Sequence, residues 1–231
     1  MTILSGNHAR KTYIPRVPDG GQRLPPGAAG LSCAMSPADK IASSGQLRIN
    51  MEKIIPHFGA INLALPEEYN EATYLVDGRE IDLSLAFFNA FPGEDGFTEF
   101  SAVKDLDPAV LDRVSGFMEQ LDSKIARAHA ACVADFHAGG VVRDTYIDHH
   151  LEEFSPEQLA TLIEGTDPAL PVEERMLATL HLSHVGLHPM PDDSDASFAM
   201  FDFTFGEDLT NYVVAVKFAE DGAIQGVDVE S

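Results

Sequence analysis

The chain has 231 residues, of which 45% are hydrophobic, and a formal net charge of −22, so it can build a buried core and is not disordered throughout. So large a negative charge repels phosphate backbones and anionic lipids, which excludes nucleic acid and membrane surfaces as expected partners. It favours metal cations, cationic small molecules and basic proteins instead. The alternative interpretation is that the acidity only keeps a cytosolic protein soluble.

The charge is unevenly distributed along the chain. Residues 1–50 contain six Lys or Arg and two Asp or Glu, a net charge of +4, which leaves −26 for residues 51–231. The first segment also contains five prolines and six glycines without a sustained hydrophobic period, and is predicted to be a disordered leader. Residues 51–231 are predicted to form one acidic domain. Because the ordered pattern begins after Met51, we hypothesise that translation starts there and that the leader is an artefact of start-site choice.

Strands are predicted at the start of this domain. Residues 61–65 and 72–76 form the first two, and the Asp77-Gly78 pair predicts a hairpin to a third strand over 79–88. Apolar and polar residues alternate in that third strand, as in a sheet with one buried face. A long helix is then predicted from Pro108 to the glycine pair at 139–140, with Cys132 on its apolar face.

Three further helices and four strands are predicted in the second half of the chain. The first helix covers 143–154, the second begins with the capping box at Ser155, and the third covers 173–180. The strands cover 181–188, 198–205, 212–218 and 223–229, the strand over 212–218 being central because it is apolar at both alternations. Strands, then helices, then strands predict an α+β fold, in which a mainly antiparallel sheet of N-terminal and C-terminal strands has a helical segment packed on one face.

The densest polar cluster lies in the second predicted helix. His149 lies within one helical turn of Glu152 and Glu153, and Asp148 is four residues before Glu152. These four residues are therefore a candidate binding surface and could offer imidazole and carboxylate groups to a cation. The spacing differs from His-Glu-x-x-His, in which two histidines share a face. The plainer interpretation is a solvated helix face, since His150 and its apolar neighbours form the buried stripe.

A second group of histidines enters the first C-terminal strand. Alternation places His184 and His188 on one face and His181 on the other, which disfavours a three-histidine zinc site. A site of two histidines completed by Asp202 from the next strand is geometrically possible. The candidate metal ligands are therefore His149, Glu152 and Glu153, or His184, His188 and Asp202.

Motifs of nucleotide binding and nucleophilic catalysis do not stand out. No glycine-rich phosphate loop, Gly-x-Ser-x-Gly elbow or Cys/His nucleophile arrangement is recognisable in the sequence. Cys33 and Cys132 are about a hundred residues apart and suggest neither a disulfide framework nor a zinc ribbon. No run of apolar residues reaches the length of a membrane span.

Short segments between about residues 55 and 231 resemble the uncharacterised bacterial DUF2004-type family of predicted cytosolic proteins. They are Phe58-Gly59, Leu65-Pro-Glu67, Val76-Asp-Gly-Arg-Glu-Ile81, Tyr146-Ile-Asp-His-His-Leu-Glu-Glu153, Val185-Gly-Leu187, Leu209-Thr-Asn-Tyr212 and Glu230-Ser231. The resemblance implies a compact bacterial cytoplasmic domain and brings no reaction, substrate or catalytic residue. Where this chain has His188 an aromatic residue is more usual in that family, which weakens the two-histidine metal site.

The leading hypothesis is a non-enzymatic, acidic cytosolic protein-binding module that needs no cofactor. It could neutralise a basic protein partner in the manner of a toxin-immunity protein, by analogy of charge and size. The alternative is a metal-dependent enzyme that uses a divalent metal at one of the His/Asp/Glu clusters. A third hypothesis is a regulatory or assembly subunit that recruits a neighbour through a sheet edge or a helix face.

Overall fold

A computed structural model of the chain describes residues 52–64, 66–92, 98–190 and 197–231. All of them belong to one compact unit, Asn50–Ser231. The predicted disordered leader, the hypothesised start at Met51 and Cys33 lie outside the described residues. Within the described ranges, no helix is long and apolar enough to cross a membrane.

The described chain contains ten strands and a group of helices between the sixth and the seventh strand. The first six strands are β1 (Glu52–Ile55), β2 (Gly59–Asn62), β3 (Tyr69–Val76), β4 (Arg79–Ala86), β5 (Phe88–Pro92) and β6 (Thr98–Ala102). The helices are α1 (Pro108–Met118), α2 (Leu121–Ala138), a π-helical segment (Val142–Ile147) that continues into α3 (Asp148–Glu153), α4 (Pro156–Leu162) and α5 (Val172–Leu177). The last strands are β7 (His181–Leu187), β8 (Ala199–Thr204), β9 (Val213–Phe218) and β10 (Ile224–Glu230).

Six strands form the main sheet in the order β10-β9-β8-β7-β4-β3. Every neighbouring pair is antiparallel except β4 and β7, which run parallel. The predicted α+β fold with a mainly antiparallel sheet is confirmed. A parallel pair needs a long crossover between its strands, and the helices lie in that connection. Two smaller hairpins, β1-β2 and β5-β6, form separate two-stranded sheets.

The helices cover one face of the sheet. The ring of Phe117 from α1 lies 5.2 Å from that of Phe198, 6.3 Å from that of Phe201 and 6.1 Å from that of Phe218. Helix α2 contacts β9 and β10, as the π-helical segment also does. Because side chains alternate along a strand, the opposite face, here called the open face, carries the intervening residues. Its polar members include Ser84, His184, Asp202 and Lys217.

The long helix predicted from Pro108 to residue 138 is two helices, so that prediction was wrong in one respect. Asp107 caps α1 as expected, since its carboxylate accepts a hydrogen bond from the Ala109 N–H at 2.9 Å. The chain leaves helical geometry at Gln120, where φ is −111° and ψ is 19°. Buried residues continue at helical spacing through this break, at positions 114, 117, 118, 121, 124 and 128, so periodicity does not reveal it.

Other differences from the predicted elements concern short strands and boundaries. Strand β1 and the β5-β6 hairpin were not predicted, and the strand expected over 79–88 ends at Ala86. Helix α5 is three residues shorter at its C-terminal end than expected. The hairpin at Asp77-Gly78 is confirmed, with φ values of 50° and 80° that suit a tight two-residue turn. Cys132 is fully buried, as its position on the apolar face predicted.

Candidate functional site

The π-helical segment is tied to the end of α2 by one carboxylate. The Val142 N–H donates a hydrogen bond to Oδ2 of Asp135 at 2.8 Å. Gly140 makes this approach possible, because a Cβ at that position would stand 2.2 Å from Oδ1 of Asp135. A π-helical turn is an uncommon geometry that occurs frequently at functional sites. Here it fixes where α3 begins and therefore which way the polar side chains of α3 point.

Two buried side chains connect this segment to the loop between β8 and β9. The Tyr146 hydroxyl accepts a hydrogen bond from the Phe205 N–H at 3.2 Å and donates one to the Tyr212 carbonyl at 3.3 Å. His150 Nδ1 lies 2.6 Å from the Tyr146 carbonyl, which can only accept, so the proton is on Nδ1. Nε2 then accepts from the Thr210 hydroxyl at 2.7 Å. Burial lowers the pKa of His150, which favours this neutral form.

Above this network lies a hollow of about 390 Å³ whose charged side chains are acidic. The carboxylates of Asp144, Asp148 and Glu152 line it, and His149 and Tyr212 form an aromatic wall with ring centroids 5.1 Å apart. None of the described residues that line it is lysine or arginine. We call Asp144, Asp148, His149, Glu152 and Tyr212 the acidic hollow. Carboxylates beside exposed aromatic rings are a chemical match for an ammonium or guanidinium group.

Not all of the residues predicted from the acidic helix line the hollow. Asp148, His149 and Glu152 line the acidic hollow, whereas Glu153 is exposed and is not among its lining residues. Two further members, Asp144 and Tyr212, were not predicted to join this cluster. Asp144 lies in the π-helical segment, one turn before α3, and a search for acidic residues at helical spacing could have found it. Tyr212 comes from the loop before β9, and only the tertiary fold brings it there.

The second predicted group, the histidine strand, meets Asp202 as the sequence suggested. His184 on β7 and Asp202 on β8 are register partners, and Nδ1 of His184 lies 2.9 Å from Oδ2 of Asp202. On its other side, Nε2 of His184 lies 2.8 Å from Oγ of Ser84 on β4. We call Ser84, His184 and Asp202 the serine–histidine array. It lines a different hollow from the one on α3, so the two predicted groups do not meet.

His188 lies beside the array. Both histidines approach Gly186. A Cβ at that position would stand 3.3 Å from Nε2 of His188 and 3.1 Å from Cε1 of His184. Burial and the neighbouring His184 lower the pKa of His188. His181 is apart from this group, since its Nδ1 lies 3.1 Å from the Thr179 carbonyl. The strict alternation that predicted opposite faces for His181 and His184 does not hold, because the register between β7 and β8 shifts between Leu182 and His184.

The described side chains do not present metal-ligand geometry. In the part of the chain that the structure describes, no group of three His, Cys, Asp or Glu side chains is arranged to hold a metal ion. Both ring nitrogens of His184 lie at hydrogen-bonding distance from Asp202 and Ser84, so a metal there would have to displace one of these contacts. The metal alternatives at His149, Glu152 and Glu153 and at His184, His188 and Asp202 stay predictions.

Sequence reasoning missed Ser84 as a candidate functional residue. It is one of several polar residues that alternate along β4, and nothing local marks it. Its contact with His184 depends on the parallel pairing of β4 with β7, a hundred residues later in the chain. A rule that matched every outward-facing serine to every histidine would have included this pair among many others.

Comparison with protein-family models, with curated proteins and with solved structures finds no match to this chain. The resemblance to the DUF2004-type family stays a prediction.

Proposed function

We propose that residues 51–231 act as an acidic cytoplasmic module of the DUF2004 type that binds a basic protein through the acidic hollow. An immunity-like role, in which the module neutralises a basic toxic protein, is the form of this proposal that charge and size favour. The observation that carries the proposal is the charge of the hollow, since three carboxylates line it without a described lysine or arginine among them. The net charge of −26 over residues 51–231 adds long-range attraction for a basic partner.

The aromatic wall supports a positively charged side chain as the occupant. Tyr212 is 40% exposed although its ring is large and apolar, and the His149 ring meets it edge to face at 73°. An arginine or lysine side chain can lay its aliphatic part on such rings and direct its charge at the carboxylates of Asp148 and Glu152. A volume of about 390 Å³ is sufficient for one or two such side chains.

The test is capture of a partner from native extract by three forms of the full chain at low and at high salt. The first is the natural sequence, and the second carries Asp148→Asn and Glu152→Gln. The control carries Glu80→Gln and Glu119→Gln, which removes the same charge at two exposed positions outside the hollow.

The proposal expects one basic protein in stoichiometric amount, held by the natural and control forms and lost from the hollow variant. Binding should weaken at high salt, because exposed charges are screened beyond roughly 10 Å at 0.1 M salt. Equal capture by the hollow variant and the control would place the contact elsewhere and refute the hollow as the binding site. No specific capture at low salt would refute the binding function itself.

A metal-dependent enzyme remains the alternative proposal, and the approach of His184 to Asp202 is the observation that favours it. It predicts stoichiometric divalent metal in protein purified without a histidine tag, and loss of that metal in His184→Ala or His149→Ala. Metal-free protein from a metal-supplemented preparation would contradict it.

A further inference from the structure

The open face of the sheet carries a hydrogen-bonded chain of side chains that the binding proposal does not use. Asp202, His184 and Ser84 come from three adjacent strands, with successive contacts of 2.9 and 2.8 Å. The carboxylate can only accept, so His184 carries its proton on Nδ1 and Nε2 is free to accept from the Ser84 hydroxyl. We propose that Ser84 is the nucleophile of an acyl-transfer site, with His184 as its general base and Asp202 as the positioning residue.

Gly186 makes this arrangement possible. Ser84 on β4 is the register partner of Gly186 on β7, and His184 is the partner of Asp82. The His184 side chain therefore extends diagonally from β7, past Gly186, to Ser84 on β4. A Cβ at Gly186 would stand 3.1 Å from Cε1 of His184 and 3.5 Å from Oγ of Ser84. The first distance is tighter than most Cβ contacts, so a side chain at this position requires the imidazole to shift by a few tenths of an ångström.

One carboxylate oxygen in the array is left without a partner. Oδ1 of Asp202 is buried and accepts no hydrogen bond from any residue that the structure describes. A buried acceptor of this kind costs roughly 1–3 kcal/mol, and folded proteins retain few of them outside functional sites. The side chain of Asp202 is 16% exposed, that of His184 is 33% exposed and Ser84 is 4% exposed, so the imidazole is the most accessible member of the array.

Ser84 and His184 line the wall of a hollow of about 400 Å³. Besides Ser84 and His184, its lining includes Glu71 and Asp82, and none of the described lining residues is lysine or arginine. Tyr69, which is 52% exposed, adds an aromatic ring. This lining favours a small ester that carries an ammonium group over an anionic ester, by charge attraction and by contact with the ring.

The reaction that this geometry allows is ester hydrolysis in two steps. Ser84 Oγ bonds to the ester carbonyl carbon, its proton passes to Nε2 of His184, and the carbonyl electrons move to the oxygen. The tetrahedral species then collapses and expels the alcohol, which takes the proton from Nε2. Water repeats the sequence, releasing the acid and restoring Ser84. The proposal assigns His188 as the donor to the oxyanion, because its Nε2 lies 3.3 Å from the point where a Cβ of Gly186 would stand, beside Ser84 and His184.

The first experiment labels the folded full chain with a fluorophosphonate probe and maps the adduct by mass spectrometry. The proposal expects one adduct per chain, at Ser84, none in Ser84→Ala, and slower labelling in Gly186→Ala. The control Ser123→Ala removes an exposed serine of α2 and should label as the natural sequence does. Mapping on the natural sequence does not depend on whether a variant folds, and circular dichroism checks the variants. Absence of an adduct at Ser84 would overturn the proposal.

The second experiment measures hydrolysis of three p-nitrophenyl esters by the full chain: the neutral acetate, the cationic 4-trimethylammoniobutanoate and the anionic hydrogen succinate. We expect kcat/KM for the cationic ester to exceed that for the anionic ester by roughly 10-fold or more at low salt. Ser84→Ala should abolish turnover of all three. Turnover that survives in Ser84→Ala, or a preference for the anionic ester, would overturn the proposed nucleophile or the proposed substrate class respectively.

Asp202→Asn separates positioning from mere structural support. Loss of the carboxylate should lower kcat by about 10²–10⁴-fold with little change in KM, because Asp202 holds His184 in the tautomer that accepts from Ser84 and does not contact the substrate. A variant that only loosened the sheet would raise KM as well, because Ser84 and His184 line the hollow that holds the substrate. An unchanged kcat would overturn the role given to Asp202.

Discussion

Replacing Tyr146 by phenylalanine removes a single hydroxyl group beneath the acidic hollow. The ring is fully buried, and its hydroxyl accepts from the Phe205 N–H and donates to the Tyr212 carbonyl. Phe205 is 5% exposed, so its N–H has little access to water once the hydroxyl is lost. An unsatisfied buried donor costs about 1–3 kcal/mol. Tyr212 is partly exposed, so water can replace the other contact and adds little to the cost.

The assay is urea unfolding of the full chain followed by far-ultraviolet circular dichroism. A loss of about 2 kcal/mol in the free energy of unfolding lowers the midpoint by roughly 1 M if the m-value is near 2 kcal/mol/M. The matched control is Tyr74→Phe, which removes a hydroxyl that donates to Asp122 at 2.6 Å near the surface. Solvent can replace that bond, so we expect a loss below about 1 kcal/mol. If Tyr146→Phe costs no more than Tyr74→Phe, the hydrogen-bond argument for this network is wrong.

Three further outcomes are expected. Burial raises the pKa of Cys132 to about 12. In a Cys33→Ser variant, iodoacetamide at pH 8 should therefore modify Cys132 only after unfolding in urea. Modification of the folded protein would contradict the burial of this thiol. Ser155→Ala removes the capping box of α4, in which Ser155 and Gln158 make contacts of 3.2 and 3.0 Å. It should lower the free energy of unfolding in urea by about 1 kcal/mol. No change would mean that α4 contributes nothing to stability. Burial also lowers the pKa of His150, His181 and His188 below the ordinary 6.5. As the pH falls through 6.5 these histidines bind protons in the unfolded chain before they do so in the folded one, so the free energy of unfolding should decrease. Equal urea midpoints at pH 7.5 and 5.5 would refute this.

Features set by a few neighbouring residues could be predicted from the sequence. The Asp77-Gly78 turn, the proline start of α1 and the capping box at Ser155 each depend on a conformational preference or a hydrogen bond that spans at most three residues. The alternation along β4 and the succession of strands and helices were sufficient for the fold class. The acidic residues of α3 were also found, because residues three or four apart on a helix necessarily lie near each other.

Features that depend on distant parts of the chain could not be predicted in this way. The break at Gln120 leaves the hydrophobic period undisturbed, and β5 and β6 are short strands, the first of which ends in a proline. The π-helical turn needs Asp135 to bond the N–H of Val142 across Gly140, a contact that no propensity encodes. Tyr212 reaches the acidic hollow through a loop that only the packed sheet positions.

The sequence by itself determined the acidic charge of the domain, its α+β composition and part of each candidate site, namely Asp148, His149 and Glu152 of the acidic hollow and His184 and Asp202 of the serine–histidine array. The tertiary structure decided which of those residues meet. A strand's sequence specifies which face each side chain takes, but the partner strand is selected by the free energy of the whole sheet, which sums contacts over the entire chain. The parallel pairing of β4 with β7 therefore brings Ser84 to His184, and neither segment alone carries that information.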